Sequence, residues 1–173
     1  MFGLDRKYHA DLLNFKEVIS NTKDATWTSD IFGSISSWMC LFSGTLSKLT
    51  EDLLILSSEG FRIIQCADEH SRISVIMPHK KNPFQLSVCR GNFNTLSSKS
   101  EIYLSSIRNS SGYPDSRHVF YIELSKDLER LEQSIKMLTG VIDKLKIDKE
   151  KALSFIKNKN TYTADLSQEL TLI

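Results

Sequence analysis

The residues best suited to chemistry lie between Ser71 and Pro83. Two serines, Ser71 and Ser74, precede the run Ile76-Met77-Pro78-His79-Lys80-Lys81-Asn82-Pro83, which holds two of the chain's three prolines. A hydroxyl-bearing loop thus leads into a cationic tip and stops at Asn-Pro, where a helix can begin. Such a loop can grip a small carboxylate through its lysines and present a hydroxyl beside it for proton transfer. Asp68, Glu69 and His70 just upstream lack the spacing with which a helix holds a metal ion, and no metal is expected.

These residues need elements to position them. Glycine and proline are otherwise scarce, and apolar residues recur at spacings of three and four, the signature of buried helix faces. A short helix is expected over 4–15, then a loop containing Asn21, Thr22, Asp24 and Thr26. Thr28 or Ser29 can cap a long helix that ends near Gly60, with Asp30 favourable to its N-terminal dipole. Its stripe is Ile31, Ile35, Trp38, Phe42, Leu46, Leu49 and Leu53. The stretch 61–74 reads as loop with a short extended piece at Ile63-Ile64. Asn82 as cap and Pro83 as first helical residue open a second helix running to about Ile107. The segment 109–114 is a strong breaker. A third helix over about 116–144 carries Phe120, Leu124, Leu128, Leu131, Ile135, Leu138 and Ile142. After a junction at 145–147, Asp148 caps a short helix through Ile156, and Thr163 caps another from Ala164.

Three long helices with near-heptad stripes imply an all-α bundle. Helices of this length span about 40 Å at 1.5 Å per residue. One chain of this size is hard pressed to cover them on all sides, so partner helices are expected.

Composition narrows the class. The chain has 173 residues, 40% hydrophobic and 25% charged, as in an ordinary globular protein of about one domain. Its net charge of +1 argues against a dedicated nucleic-acid surface. No apolar run approaches the roughly 18 residues of a membrane span, and no membrane partner is expected. The first residues, 1–11, are charged and lack a signal-peptide core. Cys40, Cys66 and Cys89 are too irregularly spaced for zinc pairs or a disulfide framework. Reduced, buried thiols in a cytoplasmic protein are the expectation.

The run 74–83 resembles the signature of the fumarase/aspartase/argininosuccinate lyase superfamily, G-S-S-x-M-P-x-K-x-N-P. Ser74, Met77, Pro78, Lys80, Asn82 and Pro83 match it. The flanks are similar to the argininosuccinate lyase branch. Asn21-Thr22-Lys23-Asp24-Ala25-Thr26 looks like its N-S-x-D-A-x segment. Leu46-Ser47-Lys48-Leu49 with Glu51-Asp52-Leu53 looks like its L-S-R-x-x-E-D-L helix. Thr139-Gly140-Val141-Ile142 and Thr163-Ala164-Asp165-Leu166 have counterparts in the same order.

The resemblance implies a partial chain of that family's long-helix bundle. Residues 1–147 would be the central helical domain, incomplete at its N-terminus, and 148–173 the start of a small helical C-terminal domain. Phe2-Gly3-Leu4-Asp5-Arg6 matches the middle of the family's central region. The N-terminal domain and the segment with the catalytic histidine are therefore expected to lie outside these residues, which disfavours His70 and His79 as general acids.

The resemblance further implies β-elimination of argininosuccinate to arginine and fumarate without cofactor or metal. A base removes the proton next to a carboxylate, donors stabilise the dianion, and an acid protonates the leaving nitrogen. Ser74 would be the base, activated by loop amides and a nearby cation. Lys80 and Asn82 would bind substrate. Tyr113 falls on a substrate-binding tyrosine, and His118 on the glutamine that follows it. The family's active sites combine residues from three subunits of a homotetramer.

The chain departs from the pattern in several places. Ile73 replaces the signature glycine and Val75 its second serine. Ser87 stands where a glutamate orients the catalytic histidine, Ser29 stands for an arginine, and Tyr121 for a lysine. Two readings follow: part of a divergent argininosuccinate lyase, inactive as an isolated chain, or a non-catalytic helical assembly module of the same fold. A third is another lyase of the superfamily, acting on adenylosuccinate or aspartate.

Overall fold

A computed structural model of the protein describes residues 3–77, 79–105, 115–158 and 163–171. Two short helices, α1 (Arg6–Leu12) and α2 (Thr22–Trp27), precede the long α3 (Asp30–Ser57). Strand β1 (Ile64–Gln65), a 3₁₀ turn at Asp68–His70, and strands β2 (Arg72–Ile73) and β3 (Lys81–Asn82) lead to α4 (Phe84–Ser98) and α5 (Ser100–Leu104). The 29-residue α6 (Asp115–Asp143) follows, then β4 (Lys146–Ile147), α7 (Lys149–Asn158) and α8 (Thr163–Thr171). The expected all-α bundle is what forms. Its only strands among the described residues make two antiparallel ribbons, β1 with β4 and β2 with β3.

Local chemistry explains where the elements differ from expectation. The stretch expected as loop is helix α2, because Asn21 Oδ1 accepts the backbone N–H groups of Lys23 and Asp24 at 3.0 and 3.4 Å. A cluster of capping residues was opening a helix there. The extended piece sits one residue later than expected, and its partner is the junction, with Ile64 opposite Ile147. Asn82 does not cap α4; it pairs with Arg72 in the ribbon, and Pro83 takes the N-cap position. The second helix breaks at Lys99 into α4 and α5. The breaker at 109–114 lies outside the described residues.

Helix α4 is the central element. It buries Leu86, Cys89, Phe93 and Leu96, with α3 packed on one side and α6 on the other. The expected stripe of α3 is met in part: Ile35, Phe42, Leu46 and Leu53 pack against the core. Ile31, Trp38 and Leu49 are exposed, while Gly33, Ser36, Met39, Ser43 and Thr50 are buried. Small residues let the two backbones approach. Ser36 donates to the Ser100 carbonyl at 2.9 Å, and a Cβ on Gly44 would stand 3.9 Å from Ser97 Oγ.

On α6 the expected stripe holds at Leu124, Leu131 and Leu138, which are buried, and at Phe120 and Ile135, which pack against the core. Leu124, Asp127, Leu131, Ser134, Leu138 and Val141 form a strict heptad seam, whereas Leu128 and Ile142 are exposed. Its polar members are answered from the facing helices. Asn92 Nδ2 donates to Ser134 Oγ at 3.0 Å. Asp127 accepts from Tyr103 and pairs with Lys99 at 2.8 Å. Burial and then the adjacent Asp127 carboxylate push the Tyr103 phenol far above its ordinary pKa. Cys66 and Cys89 are buried and all three thiols are free; burial raises Cys89 to about 11. Among the described residues no helix is long and apolar enough to cross a membrane.

The Asp127 triad gives a stability test. Asp127→Ala strands the Lys99 ammonium and the Tyr103 hydroxyl in the core, and should cost about 3–5 kcal/mol in urea unfolding. Lys126→Ala, one residue away on the exposed face, should change stability by less than about 0.5 kcal/mol.

Candidate active site

Residues 72–74 and 80–82 form the two sides of a β-hairpin. Arg72 pairs with Asn82 and Ile73 with Lys81. Ser74 extends the ladder by donating its N–H to the Lys80 carbonyl at 2.9 Å. The intervening loop is tied across itself: the Lys80 N–H bonds the Met77 carbonyl at 2.9 Å, and the Met77 N–H bonds Ser74 Oγ at 3.2 Å. The register sets Ser74 across from Lys80. By the two-residue period of a strand, Asn82 falls on the same face as Lys80. Val75 and Ile76 at the tip are 93% and 89% exposed.

This geometry has chemical content. An amide already aimed at Ser74 Oγ would stabilise negative charge on that oxygen, and would hold the hydroxyl in one orientation. Ile73, in the place of a signature glycine, occupies a strand position that suits a β-branched residue, so the hairpin is stiff at its base. Ser87 donates weakly to the Pro83 carbonyl at 3.4 Å, within its own helix.

Three consecutive side chains fix the hairpin to the bundle. Asp68 pairs with Lys81 at 2.6 Å, Glu69 pairs with Lys144 of α6, and His70 Nδ1 lies 2.6 Å from Gln85 Oε1 of α4. An amide oxygen only accepts, so Nδ1 carries the proton in that bond. Hydrogen bonds from Lys81 and Lys144 hold the Asp68 and Glu69 carboxyls below their ordinary pKa. From the sequence these three residues suggest only metal ligands, which their spacing does not fit, or, for His70, an acid. Their role as tethers depends on partners 13 to 75 residues away, which spacing cannot show.

The five expected site residues divide. Ser74, Lys80 and Asn82 share the hairpin. Lys80 and Asn82 line a cavity of about 780 Å³ facing β1, β4 and the start of α7; Ser74 is not among its lining residues. His118 is exposed near the start of α6, its ring edge-on to Tyr121 at 6.0 Å. The hairpin's base lies at the other end of that helix, where His70 Cε1 approaches the Cβ position of Gly140 to 3.9 Å. At 1.5 Å per residue these points are about 33 Å apart, so a single chain does not bring His118 to the hairpin. Tyr113 lies outside the described residues. Among the described residues no group of three His, Cys, Asp or Glu side chains is placed to hold a metal.

A model of a family described as lyase matches residues 2–95. The chain belongs to the fumarase/aspartase lyase family. It is similar to the argininosuccinate lyase of Candida albicans, with 37% identity over 157 residues, covering 88% of this chain and 34% of that protein. The argininosuccinate lyase of Saccharomyces paradoxus is 32% identical over 151 residues, covering 87% and 33%. That of Methanococcus vannielii is 29% identical over 154 residues, covering 87% and 31%. The lyase chain thus spans about a third of the length of the curated relatives it matches.

Solved structures share its fold. EDDS lyase in complex with formate matches with a TM-score of 0.71 and 21% identity, over 87% of this chain and 30% of that one. The fumarate lyase:delta crystallin of Brucella melitensis matches with 0.75 and 17%, over 94% and 39%.

The tethers of this lyase hairpin predict a pH response. The folded-state pKa of Asp68 and Glu69 is lowered, so their contribution is present above the ordinary carboxylate range and is lost as pH falls through the lowered values. Exchange protection of the Ser74 amide, corrected for intrinsic rate, should hold above about pH 5 and decline below about pH 4. Asp68→Asn should weaken protection at neutral pH and flatten the response.

Proposed function

We propose that this chain is part of an argininosuccinate lyase, contributing the signature hairpin and central helices to a site that cleaves argininosuccinate to arginine and fumarate. The observation that carries the reading is the hairpin register: the serine hydroxyl, with an amide donated to it, stands across from Lys80. Ser74 removes the proton next to a substrate carboxylate. Lys80 and Asn82 hold that carboxylate as it gains charge. His118, and Tyr113 by its match to the family motif, bind substrate in a neighbouring site rather than beside their own chain's hairpin. The reaction asks for no cofactor or metal, because the dianion is met by the lysine and by amide and side-chain donors.

Two features support an assembly, read here as the homotetramer of a cytoplasmic enzyme of arginine biosynthesis. One is the separation of His118 from the hairpin. The other is the row Ile31, Trp38, Leu41 and Leu49, exposed along α3 where other helices can pack. In this reading 1–147 is central-domain sequence and 148–173 opens the C-terminal domain. The second reading, a helical module of this fold without catalysis, is favoured by Ile73 in place of glycine and by Ser87 in place of the orienting glutamate.

The 173-residue chain alone should give no fumarate from argininosuccinate, followed by the ultraviolet absorbance of the product; clear turnover by the pure chain would overturn the composite site. Co-expressed with a polypeptide supplying the rest of the lyase, it should turn substrate over. Ser74→Ala should then lower kcat by about 100-fold or more, the usual contribution of a general base. Turnover that survives this change excludes Ser74 as the base, and an inactive assembly of correct size favours the non-catalytic module.

A further inference from the structure

The hairpin register puts four polar side chains on one face. Arg72 stands opposite Asn82, and Ser74 opposite Lys80. Residues directly opposite in an antiparallel pair share a face, and so do residues two apart along a strand. Arg72 therefore belongs to the face of Ser74, Lys80 and Asn82, although the signature run begins only at Ser74. Ile73 and Lys81 take the other face. The Asp68–Lys81 ion pair thus holds the hairpin from the opposite side, and none of the three tethers of the 68–70 turn ends on the Ser74 face.

An aromatic ring holds that face instead. The Arg72 guanidinium carbon lies 5.4 Å from the centroid of the Phe84 ring. This is inside the roughly 6 Å within which a ring quadrupole attracts a cation. Phe84 is the first residue of α4 and is 45% exposed, so it is only half committed to the core. Arg72 is exposed and forms no ion pair among the described residues. The junction between hairpin and helix has little else to fix it. Pro83, at the N-cap of α4, makes no side-chain capping bond, and a proline has no N–H to donate.

We propose that Arg72 and Phe84 form a cation–π clamp that positions the Ser74 face. Arg72, at the base of the ribbon, is pinned to the first turn of α4. Asn82, opposite Arg72 and two residues before Phe84, is thereby kept in register with Ser74 and Lys80. Both clamp members are positioning residues and touch no substrate. A two-stranded ribbon is marginal in water, so without support its competent register is only partly populated. Apparent substrate affinity scales with that fraction. The clamp therefore acts on binding, and bound substrate, by closing the register itself, leaves the rate of proton removal unchanged. The effect on substrate rests on the lyase reading above; the clamp itself does not.

The clamp is tested first on the 173-residue chain without substrate. The readouts are hydrogen exchange of the Ser74 amide at neutral pH and the resonances of the Arg72 side chain. Phe84→Leu keeps an apolar side chain and removes the π face; Arg72→Met keeps an unbranched stem and removes the charge. Each should speed Ser74 exchange about two- to fivefold, the scale of an exposed cation–π contact. The double variant should exchange no faster than either single, the mark of a coupled pair. Phe84→Tyr should exchange as the parent does. The Arg72 δ protons should show an upfield ring-current shift in the parent and in Phe84→Tyr, and lose it in Phe84→Leu. In the assembly co-expressed with the rest of the lyase, Phe84→Leu and Arg72→Met should each raise KM for argininosuccinate about two- to fivefold, with kcat changed by less than about twofold, and Phe84→Tyr should match the parent. Parent-like exchange in Phe84→Leu, additive effects in the double variant, or a Phe84→Tyr chain that behaves as Phe84→Leu does overturns the clamp. The expected exchange pattern with an unchanged KM overturns its positioning role. An assembly without turnover in the parent counts against the lyase reading, and the exchange and resonance measurements then decide the clamp by themselves.

Discussion

The hairpin that carries Ser74 depends on one short turn. Asp68, Glu69 and His70 are consecutive, yet they reach three different elements: the hairpin through Lys81, α6 through Lys144 and α4 through Gln85. A two-stranded ribbon is marginal by itself in water. This one has only two paired residues on each side plus the Ser74–Lys80 bond. Its register therefore needs support from the bundle. Each tether is individually modest, since exposed ion pairs are worth little. Together they fix the turn from three directions, and Ser74 lies only four residues beyond it.

The long helices give those tethers fixed anchor points, and they do so by a packing that apolar periodicity misstates. The sequence pattern identified α3 and α6 as helices, because their residues do recur every three or four positions. It placed the inward face in part: Ile35, Phe42, Leu46 and Leu53 of α3 and Leu124, Leu131 and Leu138 of α6 do pack inward. On α3 Ile31, Trp38 and Leu49 of the expected stripe are exposed, and the fully buried row is Gly33, Ser36, Met39, Ser43 and Thr50. A stripe search rewards size and apolarity. Close helix contact rewards small side chains, with hydroxyls that can bond across the gap, as Ser36 does to Ser100. On α6 the misplaced positions are Leu128 and Ile142, exposed beside the buried Asp127 and Val141. A buried aspartate is not visible in a hydrophobic pattern until Lys99 and Tyr103 are seen to meet it.

The site was legible to a different degree. Residue types alone marked a loop with two serines, two lysines and an asparagine; the family resemblance picked out Ser74, Lys80 and Asn82, and the structure sets them on one hairpin. Their ordering was not legible. Nothing in the spacing of Ser74 and Lys80 announces that they close a ladder, since a run containing Pro78 and ending in Asn-Pro reads as loop. The tethers were missed for the same reason that α2 was: polar residues were read as solvated loop, whereas Asn21, Asp68, Glu69 and His70 are each spent on a specific bond.

Helix length finally decides how such a site can be built. His118 and the hairpin lie at opposite ends of α6, about 33 Å apart by the helical rise. No loop rearrangement within one chain closes that distance while α6 stays helical, and its buried heptad seam against α4 and α5 keeps it so. If both ends of α6 serve catalysis, they must serve different sites, each completed by another chain that presents its hairpin to this chain's His118. The exposed Ile31, Trp38, Leu41 and Leu49 of α3 are consistent with that arrangement, because they leave apolar surface for a second copy while Ile35, Phe42, Leu46 and Leu53 serve the chain's own core.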